Sequence, residues 1–454
     1  MSPTTSLAPR LVMARMKMRS GTAWLDILAV ISFALSTLIA LTVAGGIWMF
    51  HTLNEDRPAR ILKAIGAENA DGMSVYFLLS VVAGALLVVP IFALGSAAVR
   101  LAAQTRARRL ATLRLIGVTA SQTIRMALIE TAAQWLIGTI AGIGLYYATL
   151  PAWSNVTFFK VPIDIELMML PLWGISILLV LLLLIATAST VIGLQKVRIS
   201  PLGVTRRETP RALRAWRFVF FVAAAVAFVV WANMNQSSKT DAGALVTVGA
   251  LVVLFIGELS LVGPWVIQIV TRPFTATSSV PRLLAVRRIL DDPRAVWRSI
   301  GGVALLCFVA GFVSTSPGNS DRFQWVVNDV RTGVWITLAF GFVVAAHSSL
   351  MNQASLVFER ADQTEALSKV GFPFRVFTAS RFHQILGPLV VTSVLAAAMG
   401  CLLTTSYMQK SPSPESFIQL GSVLGIGFLL TIFSLLMCSP LEKHVLASGR
   451  RHND

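Results

Sequence analysis

The sequence predicts an all-α polytopic membrane protein with about ten transmembrane helices. Hydrophobic residues make up 55% of the 454 positions and charged residues only 13%, about half the charged share of an ordinary soluble domain. The apolar residues come in blocks, again and again as long as the roughly 20 residues a helix needs to cross the hydrocarbon. The 38 lysines and arginines, against 21 acids, give a net charge of +17. They collect in every second segment between the blocks.

Hydropathy places the spans at about 24–50, 73–98, 127–150, 167–193, 217–234, 243–270, 299–316, 332–357, 385–406 and 416–438. The first is too long for the roughly 7–15-residue core of a cleaved signal sequence, so it reads as a retained span. Arg10, Arg15, Lys17 and Arg19 precede it with no acid. Arg100, Arg106, Arg108, Arg109, Arg114 and Arg125 follow the second span, also with no acid. Lys196, Arg198, Arg206, Arg207, Arg211 and Arg214 follow the fourth, and Arg272, Arg282, Arg287, Arg288, Arg294 and Arg298 the sixth. The alternate loops are balanced or sparse, as with Lys160 beside Asp164 and Glu166. The positive-inside rule then puts both termini in the cytoplasm. The same placement explains the charge without nucleic acid, which is not expected as a partner. The longest external loop is about His51 to Gly72, too short for an external domain.

Two echoes suggest an internal repeat. The stretch PRLVMARMKMRSGTAW from Pro9 resembles PRLLAVRRILDDPRAVW from Pro281, and LRLIGVTASQTIRMALIE from Leu113 resembles LSKVGFPFRVFTASRFHQ from Leu367. Gly117 then falls on Gly371. The expected organisation is a cytoplasmic segment 1–23, a four-span unit 24–200, a helix pair 201–275, a second four-span unit 276–440 and a cytoplasmic tail 441–454.

The most informative stretch runs from Arg100 to Glu130. Helix-favouring residues continue past the second span with no proline or glycine until Gly117, so the helix should protrude by about three turns. Gly117 suits a helix C-terminus, and Thr119 or Ser121 can cap the next helix. Leu110, Leu113 and Ile116 recur at helical spacing and form one apolar stripe. Such a stripe can receive a partner protein, or lie on lipid headgroups or its own bundle.

The run LATLRLIGVTASQTIRMALIETAAQWLIGTIAGIGL resembles the signature of the FtsX-like, MacB-type permeases of ABC transporters. The matching residues are Leu113, Arg114, Gly117, Thr119, Gln122 and Glu130. The resemblance covers about 95–195 strongly and 355–440 more weakly, where Ser368 replaces Arg114 and Pro373 replaces Thr119. It implies a permease that moves or extracts an amphipathic or lipid-like substrate across the bacterial plasma membrane. It also implies contact between the cytoplasmic turns and a separate ABC ATPase, in two copies, which binds the ATP and magnesium. The residues so implicated are Leu110, Leu113, Arg114, Ile116, Gly117, Thr119 and Gln122, with Lys369, Gly371, Phe372 and Arg375 in the second copy. The ten-span layout is similar to that of peptide-antibiotic resistance permeases, which carry a large external domain where this chain has only about Ser316 to Arg331.

No cofactor or metal is expected on this chain, and no enzymatic activity. No lysine follows a glycine, so the G-x-x-x-x-G-K-[ST] phosphate loop is missing. Cys307, Cys401 and Cys438 all fall in apolar blocks and read as small hydrophobes. Glu258 and His347 fall inside predicted spans, where ionisable groups are costly and are candidates for function. They could line a proton or substrate path, as in an ion-coupled transporter, or be satisfied by neighbouring helices. A non-transporting membrane regulator is a further alternative. Glu130, nearer the cytoplasmic edge, is expected to reach Arg125 or water.

Overall fold

A computed structural model describes residues 23–66, 72–85, 119–198, 259–314, 324–408 and 414–450, with isolated positions at 87–95 and 219–257. The protein is an all-α polytopic membrane protein. Seven helices among the described residues are long and apolar enough to cross a membrane. In chain order the elements are α1 (Ala23–Asp56), α2 (Ala59–Ile65), α3 (Gly72–Ala85) and α4 (Ala120–Trp153). A hairpin of β1 (Thr157–Phe158) and β2 (Val161–Pro162) then precedes α5 (Ile165–Met168) and α6 (Leu172–Arg198). After them come α7 (259–271), a 3-10 turn (Arg272–Ala276), α8 (Val280–Asp291), α9 (Pro293–Ser314) and α10 (Gln324–Glu359). The chain continues through α11 (Ala361–Lys369), α12 (Phe374–Met408) and α13 (Pro414–Arg450).

The seven long helices α1, α4, α6, α9, α10, α12 and α13 answer to expected spans one, three, four and seven to ten. The second span is described mainly over its first half as α3, and the sixth over its second half as α7. The fifth lies almost wholly outside the described residues. The observed helices overrun their predicted ends. α10 begins at Gln324 rather than near 332, and α12 at Phe374 rather than near 385. Hydropathy marks where the hydrocarbon begins, whereas a helix stops only at a backbone signal. The 36 residues of α10 rise about 54 Å at 1.5 Å each, against a hydrocarbon core of about 30 Å. α1 and α4 run in the same direction, with Gln134 at Asp26 and Gly142 at Ala34, and α10 runs against α9, with Gly302 near Ala345 and Asn352 on Arg298. One end of the bundle holds Thr119 and Gly371 and is called the basic end here; the other holds the hairpin.

Lipid tails are as apolar as leucine, so membrane helices associate through close packing rather than through a hydrophobic drive. The closest contacts lie between α1 and α4 and between α9 and α12, where small residues let the backbones meet. Gly138 and Gly142, four residues apart on one face of α4, sit on α1. A Cβ on Gly142 would lie 2.7 Å from the Ala34 carbonyl oxygen and 2.7 Å from Thr37 Cβ. In the C-terminal half, a Cβ on Gly400 of α12 would collide with the Phe308 carbonyl oxygen of α9, and one on Gly311 with that of Ala397. In each half, then, the first long helix packs on the helix two spans later.

α9 is the most enclosed helix. Val296, Ile300, Val303, Ala304, Cys307 and Phe308 form a buried ridge contacted by α10, α12 and α13. α6 is peripheral, with Leu172 79% exposed and Ile177, Val180 and Leu184 also turned outward. In a bilayer that face meets acyl chains.

Replacing Gly142 or Gly400 by leucine should lower the unfolding midpoint of the detergent-purified protein, at a cost of about 1–3 kcal/mol for overpacking. Gly46→Leu, with nothing within 4 Å of the added Cβ, should move it far less.

Candidate functional site

The basic end carries two turns that the sequence marks as functional, and one is described in full. α10 ends at Glu359 and α11 begins at Ala361, with Arg360 (φ −104°, ψ 12°) as the turn between them and two backbone bonds spanning it. The Arg360 N–H donates to the Leu356 carbonyl at 3.1 Å, and the Thr364 N–H to the Arg360 carbonyl at 3.0 Å. α11 is amphipathic. Ala361 and Thr364 are buried, and the helix packs on α13. It ends at Gly371, whose φ of +100° is the left-handed conformation that a side chain would strain. The Phe372 N–H donates to the Leu367 carbonyl at 3.2 Å and the Gly371 N–H to that of Ser368 at 3.0 Å. This paired closure is the Schellman motif. Pro373 follows and leads directly into α12.

The tip of this turn is open. Val370 is 77% exposed, Lys369, Gly371, Pro373 and Arg375 are exposed, and Phe372 is half-buried. Lys369 Nζ lies 3.0 Å from Glu365 Oε1, one helical turn back. The result is a rigid projection with an apolar tip between two cations. Such a surface can dock a partner and transmit a push.

The corresponding turn of the N-terminal half is described only from Thr119 onward. Leu110, Leu113, Arg114, Ile116 and Gly117 lie outside the described residues. Thr119 is the residue that caps α4. Its Oγ1 accepts from the Gln122 N–H at 3.4 Å, and Gln122 Oε1 accepts from the Thr119 N–H at 3.0 Å. This reciprocal capping box satisfies two backbone donors that a helix start leaves open. Thr119 and Gln122 thus have a local structural task in addition to any contact they make outside. Further along α4, Arg125 is exposed while Glu130 is only 7% exposed. Five residues apart on a helix they point about 140° from each other, so Glu130 faces inward rather than toward the water-side edge expected of it.

Behind the Gly371 turn lies a layer of buried polar side chains that the apolar periodicity did not reveal. α10 contributes Ser348, Ser349, Asn352 and Gln353, and α12 contributes Ser380, Arg381 and Gln384. Asn352 Nδ2 donates to the Arg298 carbonyl of α9 at 2.7 Å. In the first turn of α9, Asp292 Oδ1 accepts from the Ala295 N–H at 2.9 Å. The run SSLMNQAS from Ser348 was the available sequence signal.

His347 is tied to the other half of the chain. Its Nε2 lies 2.8 Å from Ser32 Oγ of α1, and Ser32 Oγ can also donate to the Leu28 carbonyl at 2.8 Å. The two side chains share one hydrogen bond, whose direction is set by the imidazole tautomer. Glu258 lies outside the described residues.

Residues 81–201 match the family model of the FtsX-like permease C-terminal domain. That stretch contains the capped turn at Thr119 and the α4–α6 pair. No curated protein matches the chain.

Gly371→Ala forces a side chain into the left-handed region, at a cost of about 1 kcal/mol, and Thr119→Ala removes a cap worth about 1 kcal/mol. Hydrogen exchange read by mass spectrometry should show faster exchange of the Phe372 amide in the first variant and of the Gln122 amide in the second. The centres of α12 and α4 should exchange as in the wild type.

Proposed function

We propose that this chain is the membrane-spanning subunit of an ABC transporter, driven by a separate ATPase. The observation that carries the reading is the FtsX-like permease domain at 81–201, in a protein with several membrane-spanning helices. FtsX-like permeases are generally non-enzymatic and typically work with an ABC ATPase. On this reading the catalytic chemistry, with ATP and magnesium, belongs to the partner, and the permease converts its motion into work on a substrate.

The proposed coupling elements are the stretch from Leu110 through Gln122 and the turn formed by Lys369, Gly371, Phe372 and Arg375. Two units, 24–200 and 276–440, would present one turn each to two ATPase copies. The pair 201–275 between them keeps both units in the same orientation. The exposed Val370 tip between Lys369 and Arg375 suits an apolar groove with an acidic rim. The short Arg360 turn between α10 and α11, spanned by two backbone bonds, supports the second half of this scheme, because it links the Gly371 turn to α10 through a single residue. Closure of the ATPase pair on ATP would drive the turns together and tilt the helices behind them.

The substrate proposed is amphipathic or lipid-like, entering sideways from the bilayer past faces such as that of α6, and moving outward. The chain would sit in the bacterial plasma membrane with both termini in the cytoplasm. His347 is hydrogen-bonded to Ser32 within the bundle, an arrangement that favours a packing role over an ion pathway.

The test is affinity purification from solubilised native membranes followed by mass spectrometry. The wild type should bring down an ABC ATPase. Leu113→Asp with Gly117→Pro, or Val370→Asp alone, should reduce its recovery at least about tenfold, the equivalent of 1.4 kcal/mol. Recovery of no ATPase with the wild type in several detergents would overturn the assignment.

A further inference from the structure

The two halves of the chain are also joined at the end opposite the Gly371 turn, by residues of α3, α10 and the hairpin. Asp329, in the second turn of α10, is only 6% exposed. Its Oδ2 accepts from Tyr76 Oη of α3 at 3.0 Å and from the Phe159 backbone N–H of the hairpin at 2.8 Å. One carboxylate of the C-terminal half thus holds two groups of the N-terminal half. Tyr76 lies near the start of the second span, the span that precedes Leu110 and Gly117 in the sequence. Asp329 lies near the start of the eighth, whose other end continues through α11 to Gly371.

The hairpin is held in a conformation it would not choose alone. Phe159 and Lys160 have φ values of +55° and +61°. That is the type I′ arrangement, which favours asparagine and glycine and costs other residues roughly 1–2 kcal/mol each. What offsets that cost is on the other side. The Phe159 ring is fully buried against Tyr76, Phe50 and Trp325, and the Lys160 ammonium stands 5.8 Å above the Trp325 ring of α10. Strain maintained by its surroundings is common where a segment has to change state. Arg60 and Asp164, paired at 3.1 Å but more than half exposed, add little to the hold.

We infer that the hairpin and Asp329 form a releasable clasp. It ties the far ends of the two coupling helices in the resting protein and opens when the turns at the basic end are driven together. The inference rests on the permease reading above. Opening breaks two hydrogen bonds to one carboxylate and relieves the hairpin strain, so the two states lie closer in energy than the bonds alone would allow. An open clasp separates α3 from α10 on that side and exposes an aromatic lining of Phe50, Tyr76, Phe159 and Trp325. That lining is suited to an amphipathic substrate leaving the bundle.

The experiment uses the permease with its bound ATPase in lipid nanodiscs, and reads hydrogen exchange at the Phe159 amide. The nucleotide-free complex should protect this amide. Trapping with ATP, magnesium and orthovanadate should raise its exchange at least about tenfold. Tyr76→Phe, which keeps the ring and removes one bond to the carboxylate, should raise it about tenfold without nucleotide and so shrink the response to trapping. Asp329→Asn keeps an oxygen that can accept from both donors and should retain the protection, whereas Asp329→Leu should lose it. Equal Phe159 protection in the nucleotide-free and trapped wild type, with the ATPase bound and hydrolysing, overturns the clasp alone. Failure to recover any ATPase overturns the permease reading, and the clasp falls with it.

Discussion

Within the hydrocarbon every backbone N–H and C=O must find its partner inside the protein, and the rest of this structure depends on that constraint. It makes each span a helix and removes the main force that packs helices in water. What holds the helices together instead is how closely they can approach. The chain meets this by placing glycine where one backbone crosses another. Gly138 and Gly142 bring α4 onto α1, and Gly311 and Gly400 bring α12 onto α9. The polar side chains inside the bundle follow the same logic. Ser32 and Thr37 of α1, Thr190 of α6 and Thr392 and Thr404 of α12 are all buried. Most bond a carbonyl one turn back, as Ser32, Thr190, Thr392 and Thr404 do.

The fold was legible because its strongest signal is local. A block of apolar residues identifies a span without reference to any other part of the chain, and the seven long helices fall where those blocks are. Span ends were less legible, since they depend on capping. α9 begins six residues before its apolar block because Asp292 can accept from the Ala295 N–H. α12 begins near Pro373 because the Gly371 turn ends there, and it carries Arg375, Arg381, His383 and Gln384 as helical residues before the apolar run starts. The left-handed glycine and the Thr119 cap could be read from sequence, since each is a single residue type at a fixed place in a helix–turn–helix. The coupling proposed for them could not be read from these residues alone, because it depends on a second protein.

Other features are invisible to any local reading. Asp329 fell in a stretch that looked like a loop of about Ser316 to Arg331. Its two donors are 253 and 170 residues away in sequence. His347 was identifiable as a polar group within a span, but the expectation of a path shared with Glu258 gave no hint of Ser32, 315 residues away. In both cases one residue type is visible and the partner is not, because the contact exists only after helices of the two halves have met.

Taken together, the capped ends and the distant contacts suggest why this chain would work as a lever. A helix that frays at its end absorbs a push as local unwinding and passes nothing on. Here α11 is closed by two backbone bonds at Gly371 and α4 opens with a capping box at Thr119, so neither end can unwind cheaply. At Arg360, the one residue between α10 and α11, two backbone bonds link the two helices. Force applied to such a rod must appear as movement somewhere, and it appears where the resistance is least. On α10 the polar layer around Asn352 anchors the basic end to α9, and the His347–Ser32 bond anchors the middle to α1. Beyond these, Asp329 holds the far end through one carboxylate and a strained hairpin. A rod pinned near the end where it is pushed moves most at the opposite end, and on α10 that end is held by the contacts of Asp329.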